Sequence, residues 1–486
     1  MTTIPTAIRM PLTYFENDPS NALDAPSLLR YTGLLMGQKT TAGTVAELTK
    51  FSASNADEVS LKAGAGSQAH RMAIQWFKNN PGYSNLDVIT IDDAGASTAG
   101  TFTITLVGST ILAGTLSLKV NGVLMDITVL DAATITEIGD DIVTAITAKT
   151  ELPVTAVNVA GTVTLTAKNK GTAGNKIDTR INDDAGQVTP GGLTVTIAAV
   201  VTGATDPDVD EILAVLNKIW YQVWIMPWND TTNRGKIEDE LAIRFGPTKM
   251  ADGVLFISKR GTPAELVTYG NAGNSPHTIC LHSTGVPESP EEVAAAVAGL
   301  GAFKFQQDPA RALQFDELLG ISPPSDADQF EWADNNNLLY NGISTFEVQS
   351  DGSVNIARLI TMYQKNDSDI ADVAYLNATT MFSLLYIRYD SRVLVKTKFP
   401  NAKLADDGQD LPSNQSIATP NSIKGAFVNR YKQWVEVLGI TENLDDFKSS
   451  LDVVRNVSDR DRVDLVMSTD LMNQLRVLGI TNLFRL

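Results

Sequence analysis

The residues best able to do chemistry are few. Cys280 and His282 stand two apart in an apolar run, so on a strand they share one face. With His277 close by, they could supply a thiolate nucleophile and its base, or part of a metal site. The chain has one cysteine and three histidines, His70 being the third, so no second thiol completes such a set. A small buried thiol beside a satisfied histidine is the simpler reading. Asp-Asp pairs recur at 92–93, 183–184, 406–407 and 445–446. None has the alternating ligand order and distal glutamate of a calcium loop. Acid–base catalysis would need burial to part their pKa values, whereas they sit beside glycine or at a helix start, as turns and caps do. Gly171-Thr-Ala-Gly-Asn-Lys176 lacks the spacing of a phosphate loop, and no strand runs into a Gly-x-Gly-x-x-Gly fingerprint. The expectation is a protein that is not an enzyme, with no catalytic residue, metal or cofactor.

The elements that would position these residues form an alternating series. Ser67 to Asn79 reads as an amphipathic helix carrying Met72, Trp76 and Phe77, and Leu86 to Ile91 as a strand. Asp206-Pro207 has the form of an N-cap and a first-turn proline, with Ile212, Val215, Leu216 and Ile219 following at helical spacing. Strands at Val223 to Met226, Val254 to Ser258 and Thr278 to His282 then alternate with helices at Ile237 to Phe245, Pro263 to Gly270 and from Glu291. Such alternation predicts an open, mostly parallel sheet.

A different composition interrupts this series. Between Tyr83 and Trp220 the only aromatic residue is Phe102, while threonine, valine, alanine and glycine dominate. Period-two segments such as Thr101 to Leu106, Thr115 to Val120, Val163 to Thr166 and Leu193 to Ile197 predict half-buried strands, with one helix at Ile135 to Lys149. Asp92 to Leu106 aligns without gaps on Asp183 to Ile197, with eight of fifteen positions identical, which reads as two similar turn-and-strand corners. From Leu338 onward the pattern is α+β. Ser350-Asp-Gly-Ser353 marks one hairpin, long helices follow at Thr379 to Val395 and Pro420 to Leu438, and Arg455 to Asp464 reads as a second hairpin.

The fold class is thus an α/β core with an open, mostly parallel sheet, an inserted β-rich domain, an α+β C-terminal region and extended terminal strands. The expected division is 1–20 as an N-terminal arm, 21–91 with 206–330 as the core, 92–205 as the insertion, 331–476 as the C-terminal domain, and 477–486 as a C-terminal arm.

The formal net charge of −18, from 56 acidic against 38 basic residues, and the lack of any basic run argue against direct nucleic-acid binding. No apolar stretch reaches the ~20 residues of a membrane helix; the nearest, Val293 to Phe305, is broken by Gly299, Gly301 and Lys304. Pro5, Arg9 and Pro11 break any secretory signal, and a lone cysteine fits a reducing cytoplasm.

The two ends carry the remaining signal. Ile4, Ile8, Met10, Leu12 and Tyr14 share one parity, as in a strand with one apolar face. Val477, Leu478, Ile480, Leu483, Phe484 and Leu486 keep the C-terminus apolar to its last residue. Such strands either pair within the subunit or are donated to neighbours through main-chain hydrogen bonds.

Pro11-Leu-Thr-Tyr-Phe-Glu16, Asn274-Ser-Pro-His277, Asp308-Pro-Ala-Arg-Ala-Leu-Gln314, Leu359-Ile-Thr-Met-Tyr-Gln364, Lys398-Phe-Pro400 with Lys403-Leu-Ala-Asp-Asp-Gly408, Arg455-Asn456 leading to Asp461-Arg462, and Asp470 to Val477 form an ordered set. Together they resemble the tail sheath family of Mu-like contractile phages; Thr13 departs from that family's usual valine, and residues 92–205 diverge most. The resemblance implies a structural subunit that stacks as hexameric rings around a tail tube and contracts to drive the tube through the host envelope. It implies that terminal strands are exchanged, with a hairpin at Val453, Val454, Val457, Val463 and Leu465 receiving them. The implied partners are other copies of the chain, six per ring, the tube protein, and baseplate and terminator proteins, with no direct nucleic acid and no membrane insertion. The implied location is the virion tail, assembled in the host cytoplasm. The competing readings are another virion or lattice protein, such as a tube, baseplate or surface-layer component, and, last, a hydrolase using Cys280 and His282.

Overall fold

The computed structural model describes residues 28–81, 84–216, 218–410, 412 and 415–485. The N-terminal residues Ile8, Met10, Leu12 and Tyr14, and Leu486 at the other end, lie outside them. The described residues form two compact units. One comprises Leu29–Tyr386 with 474–485, the other Leu28 with Ile387–Asn473.

The larger unit begins with β1 (Thr32–Gln38), β2 (Lys50–Ala53), α1 (Ala56–Ala63), α2 (Gln68–Asn79) and β3 (Asn85–Ile91). β1 carries glycines at 33 and 37 and no alternation, and nothing in the sequence reading marked it as a strand. It is nonetheless a middle strand, because burial on both faces favours a continuous apolar run over alternation. Gly33 is required there: a Cβ would stand 2.6 Å from the Trp76 ring of α2.

The chain then leaves the sheet through β4 (Thr101–Gly108), β5 (Gly114–Val120), β6 (Val123–Val129), α3 (Ile135–Ala148), β7 (Val154–Val159), β8 (Thr162–Ala167), β9 (Thr179–Ile181) and β10 (Leu193–Val201). These form two antiparallel sheets, ordered β10-β4-β8-β7 and β6-β5-β9. With α3 they enclose a core of their own, including Ile104, Leu116, Ile127, Ile142, Val163 and Leu165. The strands of the two repeat copies pair with each other, Ile104 opposite Ile197. The helix starts with a capping box between Thr134 and Glu137, which satisfies two otherwise orphaned N–H groups.

The sheet resumes with α4 (Asp210–Val215), β11 (Val223–Ile225), α5 (Thr231–Phe245), β12 (Val254–Lys259), α6 (Pro263–Asn271), β13 (Thr278–His282) and α7 (Pro290–Gln307). Its order is β13-β12-β11-β1-β3-β2. Every pairing is parallel except β2 with β3. Leu34, Met36, Trp224, Leu255, Ile257 and Cys280 join a core with Ile212, Ile237 and Leu266. Alternate residues such as Leu35, Ile225 and Phe256 are equally buried. The ring of Phe305 on α7 stacks on Phe382 with centroids 4.2 Å apart.

Two helix starts differ from expectation. Asp206 does not cap α4: its carboxylate accepts from the Thr172 N–H and hydroxyl at 2.7 and 2.5 Å. With that acceptor engaged, Asp208 takes the Asp210 N–H at 2.9 Å, and the helix ends at Val215, short of Ile219. Helix α5 begins six residues earlier than expected, because Asp230 caps the N–H groups of Thr232 and Asn233 ahead of any apolar periodicity.

After α7 come α8 (Trp332–Tyr340) and the hairpin of β14 (Thr345–Val348) and β15 (Val354–Arg358). Helix α9 (Ala378–Lys398) belongs to the larger unit up to Tyr386 and to the smaller from Ile387. The smaller unit continues with β16 (Lys403–Leu404), β17 (Ile417–Ala418), α10 (Pro420–Gln433), α11 (Leu444–Ser450), β18 (Asp452–Arg455) and β19 (Val463–Val466). A π-type turn over Trp434–Leu438 follows α10 and closes at Gly439, whose φ is +63°. Tyr431 and Phe447 stack with ring centroids 3.7 Å apart. The architecture is mixed α/β with several separate sheets. No helix among the described residues is long and apolar enough to cross a membrane.

Candidate assembly segments

Cys280 and His282 do occupy one strand, β13, but they do not form a reactive pair. The thiol is fully buried in the apolar core, and burial pushes it up to about 12. The His282 ring is stacked between Phe330 and Phe346, at 4.9 and 4.5 Å, and burial pushes it down to about 3. A protonated thiol and a neutral imidazole held by aromatic rings are packing elements at neutral pH. His277 rests against the ring of Phe245 at 5.0 Å.

The acidic pairs are occupied as well. Asp92 meets Lys39 at 3.3 Å, and Asp183 and Asp184 share Lys119 at 3.1 and 2.9 Å. Asp406 joins Arg455 and Arg460, Asp407 accepts from the Asn421 N–H, and Asp445 pairs with Lys448. Among the described residues no cluster of three histidine, cysteine or carboxylate side chains could hold a metal ion. In the 171–176 turn the Asp206 carboxylate occupies the amide of Thr172, where a phosphate loop would bind its anion.

The C-terminal segment is arranged differently. Its base is fixed to the larger unit: Thr379 Oγ1 donates to Gln474 Oε1 at 3.0 Å, and Gln314 Nε2 to the Leu475 carbonyl at 3.1 Å. Arg476 Nη1 reaches Gln314 Oε1 at 3.4 Å. Beyond that point no described residue belongs to a sheet. Val477, Leu478, Ile480, Leu483 and Phe484 are 71–90% exposed. Such a row of apolar side chains in water is uncommon unless something covers it.

In the smaller unit, β18 and β19 pair over Asp452–Val466 and Arg455–Val463. Among the described residues this sheet has two strands, so no described strand pairs with either outer edge. Val453, Val463 and Leu465 are half-buried, whereas Val454 and Val457 are 49% and 96% exposed. Arg455 Nη1 ties the turn end of the hairpin to Asp406 at 3.0 Å, and Asn456 Nδ2 bonds Asp464 across it at 2.6 Å.

Sequence reasoning missed the buried charges. Arg430 and Asp390 lie on different helices of the smaller unit, and Arg71 meets Glu291 and Glu292 across more than two hundred residues of the larger one. The signal available for the second set was an arginine inside the apolar stretch of α2 and a Glu-Glu pair just after Pro290.

Residues 202–362 match the family described as the phage tail sheath protein central domain, and residues 371–485 the phage tail sheath C-terminal domain. The chain is 32% identical over 474 residues to the Mu-like prophage FluMu tail sheath protein of Haemophilus influenzae, covering 98% of this chain and 97% of that one. Among solved structures, the sheath tail protein of Desulfitobacterium hafniense gives a TM-score of 0.50 at 14% identity, over 95% of this chain and 100% of that one. The sheath tail protein of Listeria innocua gives 0.49 at 14% identity, over 93% and 94%. The class so defined is a structural protein of phage-type tails. The chain belongs to the phage tail sheath family.

Proposed function

We propose that this chain polymerises as stacked hexameric rings around a tail tube and contracts to drive the tube through a host envelope. The observation that carries the reading is the apolar segment 477–485, anchored at its base, exposed along its length and outside every sheet among the described residues. In a tail sheath subunit such a segment suits strand addition to a neighbour, where main-chain hydrogen bonds supply the link and alternate side chains the register. The β18–β19 hairpin offers edges that no described strand pairs, with apolar residues at Val453, Val454, Val457, Val463 and Leu465. Ile8, Met10, Leu12, Tyr14 and Leu486 complete the two arms.

The work of contraction then comes from two packings of the same subunits, without catalysis or cofactor. Head-to-tail contacts of this kind generate open helical assemblies. The tube, baseplate and terminator proteins are the other partners, the virion is the site of action, and assembly takes place in the host cytoplasm. The division into arms, α/β core, insertion 92–205 and C-terminal domain 331–476 belongs to the same reading.

Deletion of residues 1–16 or 477–486 tests it. The expected product is a folded chain that forms no tubes by electron microscopy. Normal tubes from both truncations would rule out strand exchange, and thin uncontractile tubes or flat lattices from the intact chain would assign a tube, baseplate or surface-layer role.

A further inference from the structure

Arginines packed into this chain have carboxylates to face. Arg71, Arg180, Arg234, Arg244 and Arg430 each have one within 3.5 Å. Two arginines of the larger unit depart from this. Arg358 ends β15, and its Nη2 donates to Asn377 Oδ1 at 3.3 Å. Arg476 stands at the base of the C-terminal segment, and its Nη1 donates to Gln314 Oε1 at 3.4 Å. Both acceptors are neutral amides at the long end of hydrogen bonding. The Nε atoms of both arginines are shut off from solvent with no acceptor among the described residues.

The charges around the pair leave it uncompensated. Burial, and then the charge of Arg358, push Arg476 down to about 10. Burial also lowers Arg358, with the Tyr340 phenol acting against it. Asp316 is already shared by Lys304 and Arg311 at 3.4 and 2.9 Å. Glu317, exposed beside it, is not among the groups that act on either arginine. Two like charges partly withdrawn from water without a counter-charge are costly.

The surroundings are those of a protein contact. Phe315, next to Gln314, is 67% exposed and sits at φ +62°. Its N–H donates to the Ile356 carbonyl at 2.8 Å, and its own carbonyl accepts from Asn355 Nδ2 at 3.2 Å, so β15 holds it there. Tyr340 and Leu475 are 78% and 72% exposed. Arginine, tyrosine and phenylalanine are enriched where proteins meet, and a free anion would leave these side chains uncovered. The chain carries 56 acidic against 38 basic residues, so every copy brings carboxylates in excess of its own cations. The exposed segment 477–485 also starts at this site.

We propose that Arg358 and Arg476 receive a carboxylate from a second copy of this chain, forming an ion pair between subunits. In the separate chain the two guanidiniums repel each other. An entering carboxylate neutralises them and accepts charge-assisted hydrogen bonds from their free N–H groups. A basic receptor for an acidic group placed elsewhere on the same surface is a head-to-tail contact. The inference rests on the polymeric reading given above and needs neither contraction nor strand exchange.

Two measurements on the full-length chain test it. Arg358→Ala combined with Arg476→Ala should leave the melting temperature of the unassembled chain unchanged or raised, because no counter-charge is lost. It should raise the critical concentration for tube formation at least about tenfold. An unchanged critical concentration would overturn the proposal, and a lowered melting temperature beside it would assign the arginines to the fold. Arg358→Lys and Arg476→Lys keep the charge and supply an amine for zero-length carbodiimide coupling. In tubes grown from mixed isotopically light and heavy chains, mass spectrometry should find position 358 or 476 joined to a carboxylate in light–heavy pairs. Tubes with no such link, or with links only between peptides of one isotope, would overturn the proposal and leave the polymeric reading standing. Failure of the unaltered chain to form any polymer would remove both.

Discussion

Arg430 holds both carboxylate oxygens of Asp390, at 3.0 and 3.3 Å, and Trp434 Nε1 donates to the same carboxylate at 2.7 Å. Asp390 is 0% exposed and Arg430 5%. The contact pins α9 to α10 in the smaller unit. Asp390→Ala leaves a guanidinium buried without its counter-charge and should cost about 3–5 kcal/mol, measured by denaturant unfolding of the full chain. Loss of stability below about 1 kcal/mol would mean that water reaches the arginine.

His282 should make the larger unit acid-sensitive. Its folded-state value of about 3 lies below the ordinary 6.5, so its contribution is complete above pH 6.5 and is lost as pH falls toward 3. The slope is at most about 1.4 kcal/mol per pH unit. His282→Phe, which keeps a ring between Phe330 and Phe346, should flatten the fall in melting temperature between pH 6.5 and 4. An unchanged acid profile would place the sensitivity elsewhere, His70 being next, pushed down to about 4 by burial.

Cys280 should be inert in the folded chain. With the thiol raised to about 12 and 0% exposed, alkylation with iodoacetamide at pH 8 should leave the native protein unmodified and modify the guanidinium-unfolded protein once. Cys280→Ala should cost about 1 kcal/mol through the small cavity it leaves and should not alter polymer formation. Rapid native alkylation would reopen the case for a nucleophile.

Gly33→Ala should destabilise the sheet by about 1–3 kcal/mol through overpacking, since Trp76 is 0% exposed and its ring lies where the methyl would go. Thermal unfolding reads this directly. Recovery in the Gly33→Ala, Trp76→Phe double variant would confirm that the ring is the obstacle.

Much of the architecture was legible because it is local. Alternating β-branched residues marked β4, β5, β8 and β10, and short apolar runs between amphipathic segments marked β11, β12 and β13. What was missed was fixed by partners remote in sequence. β1 is a strand because α2 covers its glycines, and Asp206 fails to cap α4 because Thr172, across the chain, takes its carboxylate. The candidate site divides in the same way. Apolarity of residues 477–485 is a property of the sequence, but only the structure places them outside every sheet among the described residues.

The sequence alone determined most of the strongly periodic elements, the aromatic-poor interruption between Tyr83 and Trp220 and the lack of a spaced catalytic motif, since periodicity and composition act over a few residues at a time. Tertiary structure alone decided which strands neighbour one another, that Cys280 and His282 serve as packing, and that Arg71 must satisfy two glutamates more than two hundred residues away. Burial is a collective quantity: it sets pKa values and exposes or hides an apolar row only once distant segments meet. The chemistry that opened the reading, a thiol beside a histidine, is thereby silenced by its surroundings.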